Sequence, residues 1–477
     1  MAVGIDLGTT GVKVVAVRAA TGETVASAAR EYATLRPEPG AHEQDPERWW
    51  EEAAAACRTV TAVAGTDVTA VGLSGQMHTL VLVDGADRPV GRAMTWADRR
   101  VGEDTARLAA DRRFRNLGGN DPVDAFTAPK LAWVARTQPE RLARAARIAM
   151  AKDFVRFRLT GTWATDTTDA IGTLLYDVRS GRWSEELWEA VGASPGLAPP
   201  VASPTDVVGA VTAEAASVTG LPVGTPVAAG SGDVPAAVVG AGAVHRDQIC
   251  LNVGTAAQVM GLAPGPDPGP GFLFGAAIGN EFIVMASLYA AGASVRWAAR
   301  TFTDGAADDA AARAPAGAGG LTYLPFMFGA TVPRKDDRAR AAFLGQQEQH
   351  GRDHLVRAVL EGVAYGCADA VGAVAGIVGP PREVRLVGGV SASEIFREAL
   401  ASVLDARVVR VPEGGSARGA ALLGLLAVTP GGAAEPLLAA GSPVEPATGE
   451  THRAYREAYA RYRGAATRLL GAPAAPP

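Results

Sequence analysis

Gly4-Ile5-Asp6-Leu7-Gly8-Thr9-Thr10-Gly11-Val12-Lys13, and in the second half of the chain Leu251-Asn252-Val253-Gly254-Thr255-Ala256, are the stretches that decide the fold. In the first, Val12, Val14 and Ala16 alternate with Lys13, Val15 and Val17, so the run from Val3 to Arg18 predicts two strands joined by the turn Gly8–Gly11. In the second, Ile249–Val253 predicts a strand, Gly254-Thr255 a turn and Gln258–Leu262 a further short strand. Apolar strand, Gly-Thr turn, apolar strand therefore occurs twice. So short a match leaves chance and duplication both open. Glycine-threonine turns suit phosphate, because glycine admits close approach, consecutive amides face the anion and the hydroxyl adds a donor. The plain alternative is a hairpin turn with no ligand.

Working outward, Asp45-Pro46-Glu47-Arg48-Trp49-Trp50 predicts a helix start with Asp45 as cap and Pro46 in the first position, running to about Val63. Thr69–Leu73 reads as a buried strand that ends in the polar loop Ser74-Gly75-Gln76-Met77-His78. Pro222–Ala229 leads as an extended segment into Gly230-Ser231-Gly232-Asp233, and Ala236–Val244 reads as helix. Arg382–Val387 is a strand ending at Gly388-Gly389, before a helix Ser391–Leu404 with Ser391 or Ser393 as cap. Strand, glycine turn and helix start form a phosphate or ribose site in many folds. Glu413–Gly419 precedes an Ala/Leu helix. Pro264–Pro270 predicts a hairpin loop, Gly305–Gly320 an exposed connection or poorly packed helix, and Ala472–Pro477 a disordered tail. The sum is α/β in two halves.

The 477 residues allow two large domains or three of about 150 residues each. A net charge of −5 gives no basic field, so nucleic acid and anionic membranes are not expected partners, and any phosphate must be held locally. Cys57, Cys250 and Cys367 form no CxxC pair, which points away from disulfides and zinc and toward a reducing cytoplasm. Asp6 interrupts what a signal peptide needs, and no apolar run reaches the ~18 residues of a membrane span. None of Lys13, Lys130, Lys152 and Lys335 follows a glycine, so the G-x-x-x-x-G-K-[ST] loop is excluded. His350 and His354 lack the Glu of HExxH, and Gly72-Leu73-Ser74-Gly75 falls short of a nucleophile elbow.

Asp6 ends an apolar strand and Asp233 sits in a Gly-Ser-Gly-Asp loop, where acids bind metal, cap helices or do chemistry. Phosphoryl transfer to an alcohol needs a carboxylate near the hydroxyl and Mg²⁺ on the phosphates, and two loop aspartates supply both. For Asp233 the alternative is a cap for the helix from Ala236. His78 is either a hydrogen-bond donor to a ligand or an exposed loop histidine.

Together these segments resemble the FGGY carbohydrate kinases, in their xylulokinase-like branch, over nearly the full chain. The resemblance also rests on Phe126-Thr127-Ala128-Pro129-Lys130-Leu131, Lys152-Asp153-Phe154, Thr165-Asp166 through Asp169 with Gly172-Thr173, and Leu360-Glu361-Gly362-Val363. It implies an actin-like fold of two ribonuclease-H-like domains around a cleft, residues 1–243 binding sugar and the first phosphates and 244–471 binding ATP. It implies Asp233 as general base, Met77, His78, Asp98 and Asp233 at the sugar, and Asp6 with Asp233 at Mg²⁺. Thr9, Thr10, Lys13, Gly254 and Thr255 would hold phosphates, and Gly388, Gly389 and the helix opening at Ser393 the adenosine. The implied reaction converts D-xylulose and ATP to D-xylulose 5-phosphate, with another ketose or polyol, or a non-catalytic sugar or nucleotide sensor, as alternatives. A homodimer is left open. Departures from the family pattern fall at Val234, where Asn is usual, at Ala97, Arg99, Ala256 and Val390, and at Ala330-Thr331, where Glu-Arg is usual.

Overall fold

The computed structural model describes residues 1–65, 67–269, 271–429, 435–438 and 441–471, so the expected tail 472–477 lies outside it. The opening hairpin forms as the alternation predicts: β1 (Ala2–Leu7) pairs antiparallel with β2 (Gly11–Val17), and β2 with β3 (Thr24–Glu31). Asp45 accepts from Glu47 N at 3.0 Å and opens α1 (Pro46–Ala64), whose Trp49, Ala53, Cys57 and Val60 bury against that sheet. β4 (Ala70–Gly75) lies parallel to β1 and carries Ser74 and Gly75 in the strand rather than in the following loop. β5 (Val207–Ala210), β6 (Pro226–Ala228) and β7 (Ser231–Gly232) complete a sheet of order β5-β6-β4-β1-β2-β3, with β7 pairing β4. Only Pro226–Ala228 of the expected extended segment is strand.

The second sheet repeats this plan. It contains β8 (Gln248–Val253), β9 (Ala257–Ala263), β10 (Phe272–Gly275), β11 (Phe282–Leu288), β12 (Glu383–Val387), β13 (Arg407–Arg410) and β14 (Ser442–Val444), in the order β10-β11-β9-β8-β12-β13-β14. β8, β9 and β11 correspond to β1, β2 and β3, and β12, β13 and β14 to β4, β6 and β5, with the same parallel and antiparallel pairings. Two Gly-Thr turns at equivalent corners of two equivalent sheets make duplication the reading of the repeat. One expectation fails: β9 and β10 flank β11, so the proline-rich segment from 264 crosses over that strand instead of closing a hairpin, and its Pro270 lies outside the described residues.

Gly305–Gly320 is also better packed than expected, because Ala310 and Ala311 of a short helix, Ala307–Ala311, bury against Val356 and Leu360. Those two belong to the 27-residue helix Arg352–Val378, which is apolar and long enough to cross a bilayer. It is the core helix of the second unit, with 78% of its most apolar window buried in protein.

α2 (Ala151–Thr160), α3 (Thr167–Gly172) and α4 (Asp233–Ala241) surround the end of β4, while α5 (Gly292–Phe302) and α6 (Glu394–Val403) flank the second turn. α7 (Ser416–Val428) comes late in the chain yet packs on β1, β4 and α4 of the first unit. It does so backbone to backbone. A Cβ on Gly72 would stand 1.9 Å from the Ala420 carbonyl oxygen, and one on Gly419 would stand 1.8 Å from that of Ala236. Both contacts are main chain, so neither can yield by a rotamer change. Gly419→Ala is expected to lower stability by about 3 kcal/mol, the upper end of overpacking penalties, read as a lower urea midpoint; an unchanged midpoint would show that the helices part freely.

Candidate active site

Strand register brings the first residues together. Asp6 on β1 stands beside Lys13 on β2 and Ser74 on β4, and Ser231-Gly232 on β7 runs beside Ser74-Gly75. Ser74 Oγ donates to Asp6 Oδ1 at 2.7 Å. Asp233 follows as the first residue of α4, so it is not the cap of a helix that begins at Ala236. Gly232 holds the cap position, and Asp233 Oδ1 accepts from Val234 N at 2.9 Å. Burial raises the Asp6 carboxyl above its usual range, more than Ser74 and Lys13 lower it. Asp233 is pushed up to about 7, first by burial and then by the Asp6 charge, against the amides of Val234 and Met77. Two half-buried carboxylates thus lie on the two sides of β4, near enough for the charge of one to raise the other.

His78 is not an exposed loop residue. Its backbone is left-handed (φ 66°), its ring meets Phe126 edge-on at 4.7 Å, and Phe274 of the second unit lies 6.0 Å away. Nδ1 is 2.7 Å from the Gly172 carbonyl oxygen, and burial lowers the imidazole to about 3. The ring is neutral, its N–H is spent on Gly172, and Nε2 is left as an acceptor. The expected donor is therefore an acceptor. Lys130 explains the Phe126–Lys130 motif: its Nζ donates to the carbonyls of Asp124, Ala125 and Phe126, which holds Phe126 against His78, and burial lowers it to about 7. Met77 packs against Gly232 so closely that a Cβ there would lie 2.4 Å from Met77 Cγ.

Asp98 is corrected. It is fully buried, and Oδ2 accepts from His42 N at 3.0 Å and Arg100 at 2.7 Å while Oδ1 accepts from Arg100 N and Nε. Its lone pairs are committed inside the protein, so it is a structural counter-ion rather than a sugar contact.

The expected nucleotide residues divide among three depressions. Gly254, Thr255, Gly389 and Ser393 line one of about 640 Å³ together with Val295, Arg296 and Asp308. Asp6 and Lys13 open on a second, about 410 Å³, with Glu413, Gly415 and Ser416. Thr9 and Thr10 line a third, about 700 Å³, beside Tyr32 and His42. Gly388 bends the chain under β8: its φ is 92°, and a Cβ would stand 2.6 Å from the Val253 oxygen. Ser393 caps α6 by accepting from Phe396 N at 3.1 Å, and it donates to Asp308 Oδ1 at 2.5 Å. Its hydroxyl is thus engaged within the protein, while Asp308 Oδ2 accepts from Glu394 N at 2.7 Å. Arg296 donates to Thr255 Oγ1 at 3.0 Å and places a cation on the second turn.

Sequence reasoning gave no role to Ser74, Arg296 or Asp308. Ser74 carried a signal, a hydroxyl at the end of a buried strand; Arg296 and Asp308 carried none, because only the fold brings them to Thr255 and Ser393.

The family model described as the FGGY family of carbohydrate kinases matches with its N-terminal domain over residues 1–240 and its C-terminal domain over 250–428. A xylulose kinase of Escherichia coli (strain K12) is 34% identical over 443 residues, covering 90% of each chain. Solved structures of a xyloylose kinase from Brucella ovis (32% identity, TM-score 0.88, 98% of this chain and 99% of that one) and of a xylulose kinase from Rhodospirillum rubrum (27%, 0.87, 98% of each) superpose over almost the whole molecule.

Below about pH 6.5 an unfolded imidazole takes up a proton that folded His78 refuses, so His78 removes stability as pH falls from about 6.5 toward 3. In His78→Asn, which tolerates the left-handed backbone, the loss of stability between pH 7 and 4.5 is expected to be smaller than in the parent chain. Parallel losses in urea titrations would show a protonated folded His78.

Proposed function

Because the chain belongs to the FGGY family of carbohydrate kinases, we propose that it transfers the γ-phosphoryl group of ATP to D-xylulose, giving D-xylulose 5-phosphate and ADP. The family supplies the reaction class, a phosphotransferase with an alcohol acceptor and ATP as donor. The similarity to xylulose kinases over most of the chain supports the sugar. Residues 1–243 carry the sugar side and 244–471 the nucleotide side, with α7 returning to the first unit. A cytoplasmic location and a homodimer belong to the same proposal.

The observation that carries the mechanism is the place of the Asp233 carboxylate, at the first turn of α4 directly after the β7 strand and the packed Gly232–Met77 contact, where burial raises its proton affinity. A base so tuned takes a hydroxyl proton near pH 7. The sugar oxygen forms its bond to the γ-phosphorus as the bond to the bridging oxygen of ADP breaks, and the proton passes to Asp233. Neutral His78 accepts a sugar hydroxyl through Nε2, which orients the acceptor. Lys13, Arg296 and the turn amides at Gly8–Gly11 and Gly254-Thr255 hold the phosphates. The buried setting keeps water, a competing acceptor, away from the γ-phosphate.

Mg²⁺ is implied by the family, and the residues fit it: Asp6 and Asp233 offer an all-oxygen donor set, and the Asp6 charge already raises Asp233. Asp6 and Asp233 would hold the ion, which neutralises phosphate charge when bound.

An ADP-release assay with Mg-ATP and a panel of ketoses and polyols tests the reading. D-xylulose is expected to give the highest kcat/KM, and folded protein without sugar-dependent turnover would sink it. Asp233→Ala is expected to keep the fold and to lower kcat by about 10²- to 10⁴-fold, the usual contribution of a general base.

A further inference from the structure

Behind the Asp233 loop lies a cluster of charges that no step above uses. Lys152 Nζ stands 2.7 Å from Asp153, 2.5 Å from Asp166 and 2.8 Å from Asp169, and all four side chains are buried. The three carboxylates are close enough together to hold a metal, but Lys152 already fills the space between them. Arg156 adds a second cation, 3.1 Å from Asp153, and donates to the Ala229 carbonyl at 2.6 Å. Burial pushes Asp169 up to about 8, beyond what Lys152 offsets. Two cations and three acids thus share one buried knot, which ties α2 to the start of α3.

One link from the cluster toward Asp233 runs through Asp166. Asp166 caps α3, accepting from Thr168 N at 2.8 Å and from Thr168 Oγ1 at 2.5 Å. A hydroxyl has a single proton, and Asp166 takes it. Thr168 Oγ1 is therefore left as an acceptor only, and Gly232 N donates to it at 2.9 Å. Gly232 is the cap residue of α4, directly before Asp233. Met77 closes the other side of Gly232, so this peptide is held between a hydrogen bond and a packed side chain.

We propose that Thr168 is a positioning residue for Asp233: the chain Lys152–Asp166–Thr168 sets the Gly232 peptide and, through it, the direction of the base. The inference rests on Asp233 acting as the base. Loss of the Thr168 acceptor leaves the Gly232 amide buried and unpaired, and the peptide shifts to find a partner. A displacement of about 1 Å in a reacting group lowers turnover by roughly 100-fold.

Thr168→Val keeps the shape and removes the acceptor; Thr168→Ser keeps the acceptor. For Thr168→Val, kcat with D-xylulose and Mg-ATP is expected to fall by roughly 10- to 100-fold with the KM for ATP within about twofold, while Thr168→Ser stays within about twofold of the parent in both. Should the valine variant not fold, Thr168→Ala carries the test with the same expected loss. A lowered Tm with kcat unchanged in Thr168→Val or Thr168→Ala would reduce Thr168 to a structural residue and overturn the inference, as would a folded Thr168→Ser as slow as Thr168→Val. Asp233→Ala is assayed alongside. Its full activity would remove the base assignment, whereas its inactivity beside an unimpaired Thr168→Val would remove the positioning role alone.

Discussion

The main-chain contact of α7 with β1, β4 and α4 is the constraint on which the site depends. Where glycines meet carbonyl oxygens at the distance Gly72 and Gly419 require, elements cannot slide or rotate without collision. The first turn of α7, the carboxyl ends of β1 and β4 and the first turn of α4 then share one corner, where Ser74 Oγ reaches both Asp6 and the Ser416 carbonyl. Ligands of open α/β sheets bind beyond the carboxyl ends of parallel strands, and here that geometry receives one helix from each side of the interior.

A chain of net charge −5 that handles a polyphosphate has to solve its electrostatics locally. Lys13 and Arg296 stand at the two turns without a carboxylate within ion-pair distance among the described residues, while Asp98, Asp153 and Asp166 are neutralised by Arg100, Lys152 and Arg156 inside the core. The division is physical. Buried acids that are matched by cations set geometry, whereas Asp6 and Asp233 form no ion pair among the described residues and keep a raised proton affinity.

The β-branched alternation around Gly8–Gly11 and Gly254-Thr255 was enough to read both hairpins, and Asp45-Pro46 was enough for α1, because those signals are local. The path of the proline-rich segment over β11 was not legible, since strand order is a long-range property that turn chemistry does not encode. Asp6, Met77, His78 and Asp233 were singled out by resemblance and by position near strand ends, and strand register brings Asp6 and the Asp233 loop to the two sides of β4. The polarity of His78 was not legible, because it depends on Gly172, nearly a hundred residues on. Asp98 misled for the converse reason: an acid in a motif looks available until Arg100 and His42 are seen to use its oxygens.

The backbone and the side chain of Val234 do different work. Val234 holds Asp233 through its backbone N–H, which any residue but proline supplies, while its side chain joins the apolar cluster of Met77, Phe274 and Met285. A side chain can therefore be exchanged at position 234 without releasing the carboxylate from that amide. What such an exchange alters is the packing with Met77, Phe274 and Met285 beside the carboxylate. The main chain at the start of α4 thus fixes the Asp233 carboxylate, while the side chain at position 234 is left free to vary beside it.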